Sequence, residues 1–404
     1  MKVLHLVSNR KLTGPVDPAI HLARALQELD VDSRVAVGRP KPGAGPIDDL
    51  VRERGIEPIT ELCLPKHRQP LVNRADLRSL LSMLEADPVE VIHAHLDNAH
   101  GVSVRARRGL LKATSAATRS PVTGSPGTRR RGPLVVRSLY DDAIPRSSLR
   151  YRWLYGRETD GIFVFGERLR RTLVERFGLS EEQVVKLDGA VSTDRFRVRS
   201  HDEDLRDRLG IPREAVVVGI VARIQRHRRF EVLLEAVRRV MKKLPEVRLL
   251  ILGRGTYART LAHARARDLG IADRVFLPGY VGGEDYPAAL SCFDMKIFLV
   301  PGSDGTCRAV REAMATGVPV IASRRGLLPE IVRHGVDGLV VEDEVEPLET
   351  AIEKLAGDAS LRRQLGERAL ERAREEFSLR RQAETVLGAY RRWMERIVNS
   401  EQRM

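Results

Sequence analysis

Short apolar runs alternate with longer segments whose apolar positions recur at helical spacing, and this rhythm runs through both halves of the chain. A βαβ unit covers both faces of its strands, so brief continuous apolar runs between helical segments read as strands of parallel sheets. In the first half such runs predict strands at 3–7, 33–37, 89–93, 134–137 and 161–165. In the second half they predict strands at 216–221, 248–252, 274–277, 295–299, 319–322 and 338–341. The pattern is that of an α/β protein with two Rossmann-like parallel sheets. Residues 188–194 are turn-rich and aperiodic and lead into a charged stretch, which places the linker there. Residues 114–133 are built largely from Ser, Thr, Pro, Gly and Arg, cannot bury a core face, and predict a mobile loop. From 360 to 394 the chain reads as helical and charge-patterned, with Leu361, Leu365, Leu370 and Phe377 as apolar contacts.

At 404 residues, 42% hydrophobic and 31% charged, the chain is long enough for two or three globular units. The formal charge is +14, which invites a polyanionic partner. Its location matters more than its size. Residues 105–152 hold twelve basic side chains against Asp141 and Asp142, so most of the surplus is local and the remainder is nearly balanced. Aromatic residues make up only 4% of the chain, too sparse for a surface that stacks bases, so nucleic acid is an unfavoured partner. The basic segment reads equally as a solvated loop or as a surface facing an anionic membrane, a phosphorylated lipid or a polysaccharide acceptor. Cys63, Cys292 and Cys307 lack CxxC spacing, so neither a disulfide framework nor a zinc knuckle is expected. No apolar run approaches the ~18–20 residues of a membrane span, and 3–7 is too short for a signal-peptide core. A cytoplasmic location follows, with peripheral contact at the inner face of the cytoplasmic membrane open.

The most specific chemistry lies between Leu299 and Val320. A strand ends in a glycine-containing loop with Asp304, a helix is expected from Gly305 or Thr306, and Gly317 turns the chain into the next strand. Such a loop offers unpaired backbone N–H groups and the positive end of a helix to an anion. Asp304 and Glu312 are eight residues apart, one at the loop edge and one about two turns into the helix. The pair suits a ligand with two hydroxylated parts flanking its phosphates.

Asp304-x7-Glu312, continuing as Glu312-Ala313-Met314-Ala315-Thr316-Gly317-Val318-Pro319-Val320, resembles the E-x7-E and EAMA-x-G-x-PVV elements of glycosyltransferase family 4 (glycosyl transferases group 1). These are retaining, sugar-nucleotide-dependent enzymes of GT-B fold, with two Rossmann-like domains facing a central cleft. Other blocks follow in the family's order. Ala222-Arg223 through Arg228-Arg229-Phe230 resembles GR-x4-KG, with Arg229 where glycine is usual. Gly253-Arg254-Gly255 resembles the next G-x-G turn, Phe276 to Tyr280 the stretch before the base-bordering loop, and Ser323 to Leu339 the end of the signature. The resemblance implies that Asp304 contacts the donor sugar and Glu312 the ribose. It also implies that Arg223, Arg228, Gly305 and the amides of Thr306, Cys307 and Arg308 hold the diphosphate, with Gly253, Tyr280 and Gly14 bordering the donor. It further implies an acceptor domain over 1–190, a donor domain over 200–375 and a last helix, within 376–404, crossing back to the first domain.

The first half is similar more loosely. The family's GG loop is reduced to Thr13-Gly14-Pro15, and Val91-Ile92-His93-Ala94-His95 resembles its H-x-H strand. Tyr140 stands where an active-site histidine is common, which leaves His93 or His95 to contribute beside it. His93, His95, Asp97 and His100 also allow a metal site, but the resemblance implies none, because basic side chains and a helix end offset the diphosphate charge. The resulting expectation is transfer of a sugar from a nucleotide-diphosphate donor to a glycan or lipid-linked acceptor without metal or other cofactor. The alternatives are a sugar-nucleotide epimerase or hydrolase with the same donor domain, and a basic nucleic-acid binder.

Overall fold

A computed structural model describes residues 1–10, 15–39, 47–117, 132–140, 148–199, 203–283, 285–301 and 307–402. The chain divides into two units, Met1–Asp188 with Leu379–Met404, and Gly189–Ser378.

The first unit alternates β1 (Lys2–Val7), α1 (Val16–Gln27), β2 (Asp32–Val37), α2 (Ile47–Glu53), β3 (Pro58–Ile59), α3 (Pro70–Ala86), β4 (Val91–Ala94), α4 (Asp97–Ala117), β5 (Leu134–Leu139), α5 (Leu149–Arg157), β6 (Gly161–Val164), α6 (Glu167–Phe177) and β7 (Val184–Lys186). Its strands are all parallel, in the order β3-β2-β1-β4-β5-β6-β7. The order reverses between β1 and β4, where His5 lies level with His93. Open α/β sheets bind ligands beyond the carboxyl ends of strands at such a switch.

The second unit continues with α7 (Glu203–Leu209), β8 (Val216–Val221), α8 (Phe230–Lys243), β9 (Val247–Leu252), α9 (Arg265–Asp268), β10 (Val275–Gly279), α10 (Asp285–Ser291), β11 (Met295–Phe298), α11 (Arg308–Ala315), β12 (Val320–Ser323), α12 (Leu328–Ile331), β13 (Gly338–Val341), α13 (Val345–Gly357) and α14 (Ala359–Glu376). Its parallel order is β10-β9-β8-β11-β12-β13, with the switch between β8 and β11. Val218, Ile220, Leu233, Val237, Leu249, Ile297 and Ile352 form part of a single apolar core around it.

The last helix, α15 (Leu379–Gln402), belongs to the first unit and packs on α1. Trp393 is buried there, its Nε1 donating to Glu182 O at 2.8 Å. A Cβ at Gly161 would stand 2.2 Å from the Trp393 ring, so only glycine lets β6 approach the indole. No described helix is long and apolar enough to cross a membrane.

Three expectations change. The first sheet has seven strands rather than five, because β3 and β7 are two and three residues long and leave no periodic trace. The helix expected over 360–394 is two helices. Val191 N donates to Phe377 O at 2.8 Å and residue 191 bridges Ser378, which takes the chain out of helical conformation between α14 and α15. Residues 114–117, expected in the mobile loop, are the end of α4, while 118–131 of that loop lie outside the described residues.

Candidate functional site

In the second unit the loop after β8 lies along the loop after β9. Ala222 N donates to Leu252 O at 3.1 Å and Ile224 N to Arg254 O at 3.3 Å. The approach is so close that a Cβ at Gly253 would sit 2.0 Å from Ala222 O. Arg226–Arg228 then form one 3-10 turn. Arg228 Nη1 donates to Val300 O at 2.7 Å, tying that turn to the chain leaving β11. Burial, together with the like charge of Arg223, depresses the Arg228 guanidinium's pKa, and Cys307 lies close enough to oppose the shift. Arg223 itself is exposed. The switch between β8 and β11 therefore carries two guanidiniums beside the residue that opens α11.

Arg229 occupies a left-handed conformation, φ 59°. A side chain there costs about 1–2 kcal/mol, which explains why glycine suits the position. The guanidinium offsets part of this by donating Nη2 to Asp343 O at 2.8 Å and pairing with the Asp343 carboxylate.

Cys307, φ 51° and buried, precedes α11. One turn into the helix, Glu312 is 5% exposed. Its Oε2 accepts from the Tyr286 hydroxyl at 2.6 Å and its Oε1 pairs with Arg308 Nε at 3.2 Å. Burial and the Glu312 charge push the Tyr286 phenol well above its ordinary range, so it remains a donor. Beneath the helix, Lys296 is buried in β11 and donates Nζ to Ala309 O. Burial pulls its ammonium down to about 8, against the opposing pull of Glu312. Glu312 is thus a buried, partnered carboxylate on the same segment that begins beside Arg228.

Sequence reasoning missed Tyr286 and Lys296. Lys296 left a signal, a charge inside an apolar strand run, whereas Tyr286 in a short helix left none. Tyr280 follows β10, is 68% exposed and lies under the Arg254 guanidinium at 5.0 Å, with no described contact to Glu312 or Arg228. Asp304, Gly305, Thr306 and Gly14 lie outside the described residues.

In the first unit, the carboxyl ends of β1, β4 and β5 carry a ladder of buried rings. Tyr140 OH is 2.7 Å from His95 Nδ1, and His95 Nε2 is 2.8 Å from His5 Nδ1. His93 bonds Tyr390 OH at 2.6 Å and Ser138 Oγ at 2.8 Å. Burial lowers His5 to about 3 and holds His93 and His95 well below their usual range, so all three are neutral. Both nitrogens of His93 are spent on core hydroxyls and none of the ring is exposed. His95 is as fully buried, with both its nitrogens likewise bonded. His5, a polar residue in an apolar run, was overlooked. The nitrogens of His5, His93 and His95 converge within 4.8 Å, as metal ligands do, but hydrogen bonds occupy five of the six. The metal set weighed from sequence is split: Asp97 pairs with Arg137 and His100 bonds Thr159.

Residues 201–372 match the family model described as glycosyl transferases group 1. A GDP-mannose-dependent alpha-(1-6)-phosphatidylinositol monomannoside mannosyltransferase of Mycolicibacterium smegmatis is 31% identical over 228 residues, 53% of this chain and 57% of that protein. A D-inositol 3-phosphate glycosyltransferase of Stackebrandtia nassauensis is 36% identical over 197 residues, 46% of this chain and 43% of that protein. The chain thus spans about half the length of the curated relatives it matches. A solved glycosyltransferase of Rickettsia africae superposes with a TM-score of 0.76 at 15% identity, covering 97% of this chain and 98% of that one. Anabaena Alr3699/HepE in complex with UDP gives 0.74 at 18% identity, covering 99% and 100%. These neighbours show the fold, GT-B.

Proposed function

From the match of residues 201–372 to the glycosyl transferases group 1 model, we propose that the chain transfers a glycosyl unit from a nucleotide-diphosphate sugar to a phosphorylated polyol or lipid-linked glycan acceptor. The observation that carries this reading is the convergence of Arg223, Arg228 and the start of α11 beside Glu312. Arg223, Arg228 and the amides of Gly305, Thr306, Cys307 and Arg308 hold the diphosphate, Glu312 accepts from the ribose hydroxyls, and Asp304 contacts the sugar. Gly253 permits the close loop packing, and Tyr280 borders the donor. Negative charge grows on the leaving diphosphate as the glycosidic bond breaks, and fixed guanidiniums and helix-end amides stabilise it without reorganising. The same groups do the work of a metal ion, so the reading includes none. Tyr140, held by neutral His95 at the carboxyl edge of the first sheet, faces the acceptor. Retention of configuration belongs to the same reading, as does a cytoplasmic location with peripheral contact between the basic segment and an anionic membrane.

The acceptor class takes its support from the two relatives named above, whose names give a phosphatidylinositol monomannoside and inositol 3-phosphate. The donor site is tested by calorimetric titration of UDP and GDP into the protein and into Glu312→Ala. The variant loses a charge-assisted hydrogen bond, so the nucleotide that binds should weaken about 10- to 100-fold. Equal affinity in both proteins would remove Glu312 from the site.

A further inference from the structure

Arg137 lies at the carboxyl edge of the first sheet, level with Ala94, the last residue of β4. It is 4% exposed. Its Nη2 donates to Asp97 Oδ1 at 2.8 Å, while Nε and Nη1 are buried and have no hydrogen-bond partner among the described residues. Burying a guanidinium is costly unless its donors are satisfied, and here two directions of the fork are not. The single carboxylate that answers it is a poor counter-charge, because the Asp97 side chain is 81% exposed and water screens it.

The surroundings add positive potential rather than cancel it. Asp97 is the first residue of the 21-residue α4, so the guanidinium reaches the positive end of a long helix. His100, one turn on, is buried and kept neutral by burial and by the charges of Arg137 and Arg107. Tyr155 of α5 lies beside the same guanidinium, which favours its ionised form, while burial, the larger effect, pushes the phenol up to about 12. The Arg137 guanidinium and the start of α4 thus meet at Asp97, an exposed carboxylate that supplies the negative charge. A carboxylate is planar, whereas a phosphoryl group offers three oxygens, enough to take the guanidinium fork and a helix end together.

We propose that Arg137 and the first turn of α4 bind the phosphoryl group of the acceptor, with Asp97 as the built-in competitor that the incoming phosphate displaces. That the ligand is the acceptor rests on the transferase reading; the anion site itself rests on Arg137, Asp97 and the start of α4. The phosphate belongs either to a free phosphorylated polyol or to a lipid headgroup.

The test titrates the full chain with glycerol 3-phosphate by calorimetry and cosediments it with phosphatidylcholine vesicles containing or lacking phosphatidylinositol, in the parent protein, Asp97→Asn and Arg137→Met. Removing the competitor's charge in Asp97→Asn should tighten one of the two ligands at least about fivefold, and Arg137→Met should abolish its binding. Tightening toward glycerol 3-phosphate identifies a free phosphorylated acceptor; tightening toward phosphatidylinositol vesicles alone identifies a headgroup. A merely structural Arg137–Asp97 pair predicts unchanged or weaker binding in Asp97→Asn, and that result, or no binding of either ligand, overturns the proposal. UDP or GDP titrated into the same variants reads the donor site separately, so a failure of this site and a failure of the donor reading are distinguishable. Because Asp97 is exposed, its variant decides the matter even if Arg137→Met does not fold.

Discussion

Exchanging Arg228 for methionine lowers kcat by about 10²- to 10³-fold, the loss usual when one fixed donor to a developing anion is removed. Methionine keeps most of the aliphatic volume, so the turn at Arg226–Arg228 survives while the charge goes. The parent guanidinium is held by Val300 O through Nη1, and burial already disfavours its cationic form. A group that costs energy to keep charged in the resting protein gains most when a diphosphate arrives. The loss therefore falls mainly on kcat, with a smaller effect on nucleotide affinity, and Arg228→Lys recovers part of it. Steady-state kinetics with a nucleotide sugar checks this, and a kcat within threefold of the parent would remove Arg228 from the reaction.

Replacing Gly253 by alanine has the largest expected effect on stability. The new methyl group would meet Ala222 O at 2.0 Å, and that atom is backbone. Relief requires the loop after β8 to separate from the loop after β9, breaking the Ala222–Leu252 and Ile224–Arg254 bonds that set the path toward Arg228. The cost is about 3–4 kcal/mol, at the upper end for single substitutions. For a unit of this size that corresponds to a melting temperature lower by about 10 °C. Differential scanning calorimetry reads it directly. A drop of less than about 2 °C would show that the two loops separate freely.

Both parallel sheets were legible because fully buried strands between amphipathic helices leave continuous apolar runs, as at Val216–Val221. The very short β3 and β7 leave no period to read. The break between α14 and α15 was hidden because it depends on Val191, far away in sequence, donating its N–H to Phe377 O and bridging Ser378. In the candidate site, Arg223, Arg228, Cys307, Arg308 and Glu312 stand out in the sequence through their resemblance to the family's motifs, which is local information. Tyr286 and Lys296 reach Glu312 and α11 only through the fold. The partners of His93 were equally hidden, because Tyr390 and Ser138, which occupy both its nitrogens, are brought to it only by the fold.

The charge surplus also takes a sharper form. Part of it is spent inside the first unit, where Arg107 pairs with Asp160 and Arg108 with Glu158 while lying over the Trp153 ring at 4.3 Å. Among the described residues the carboxylate paired with Arg137 is the exposed Asp97, and that makes Arg137 the informative member of the basic segment.

The most direct measurement is the release of nucleoside diphosphate from a nucleotide sugar with and without a phosphorylated polyol acceptor. Release that requires the acceptor, with the sugar recovered on it, is the predicted result. Equal release without acceptor would contradict glycosyl transfer and place the chain with hydrolases or epimerases of the same fold.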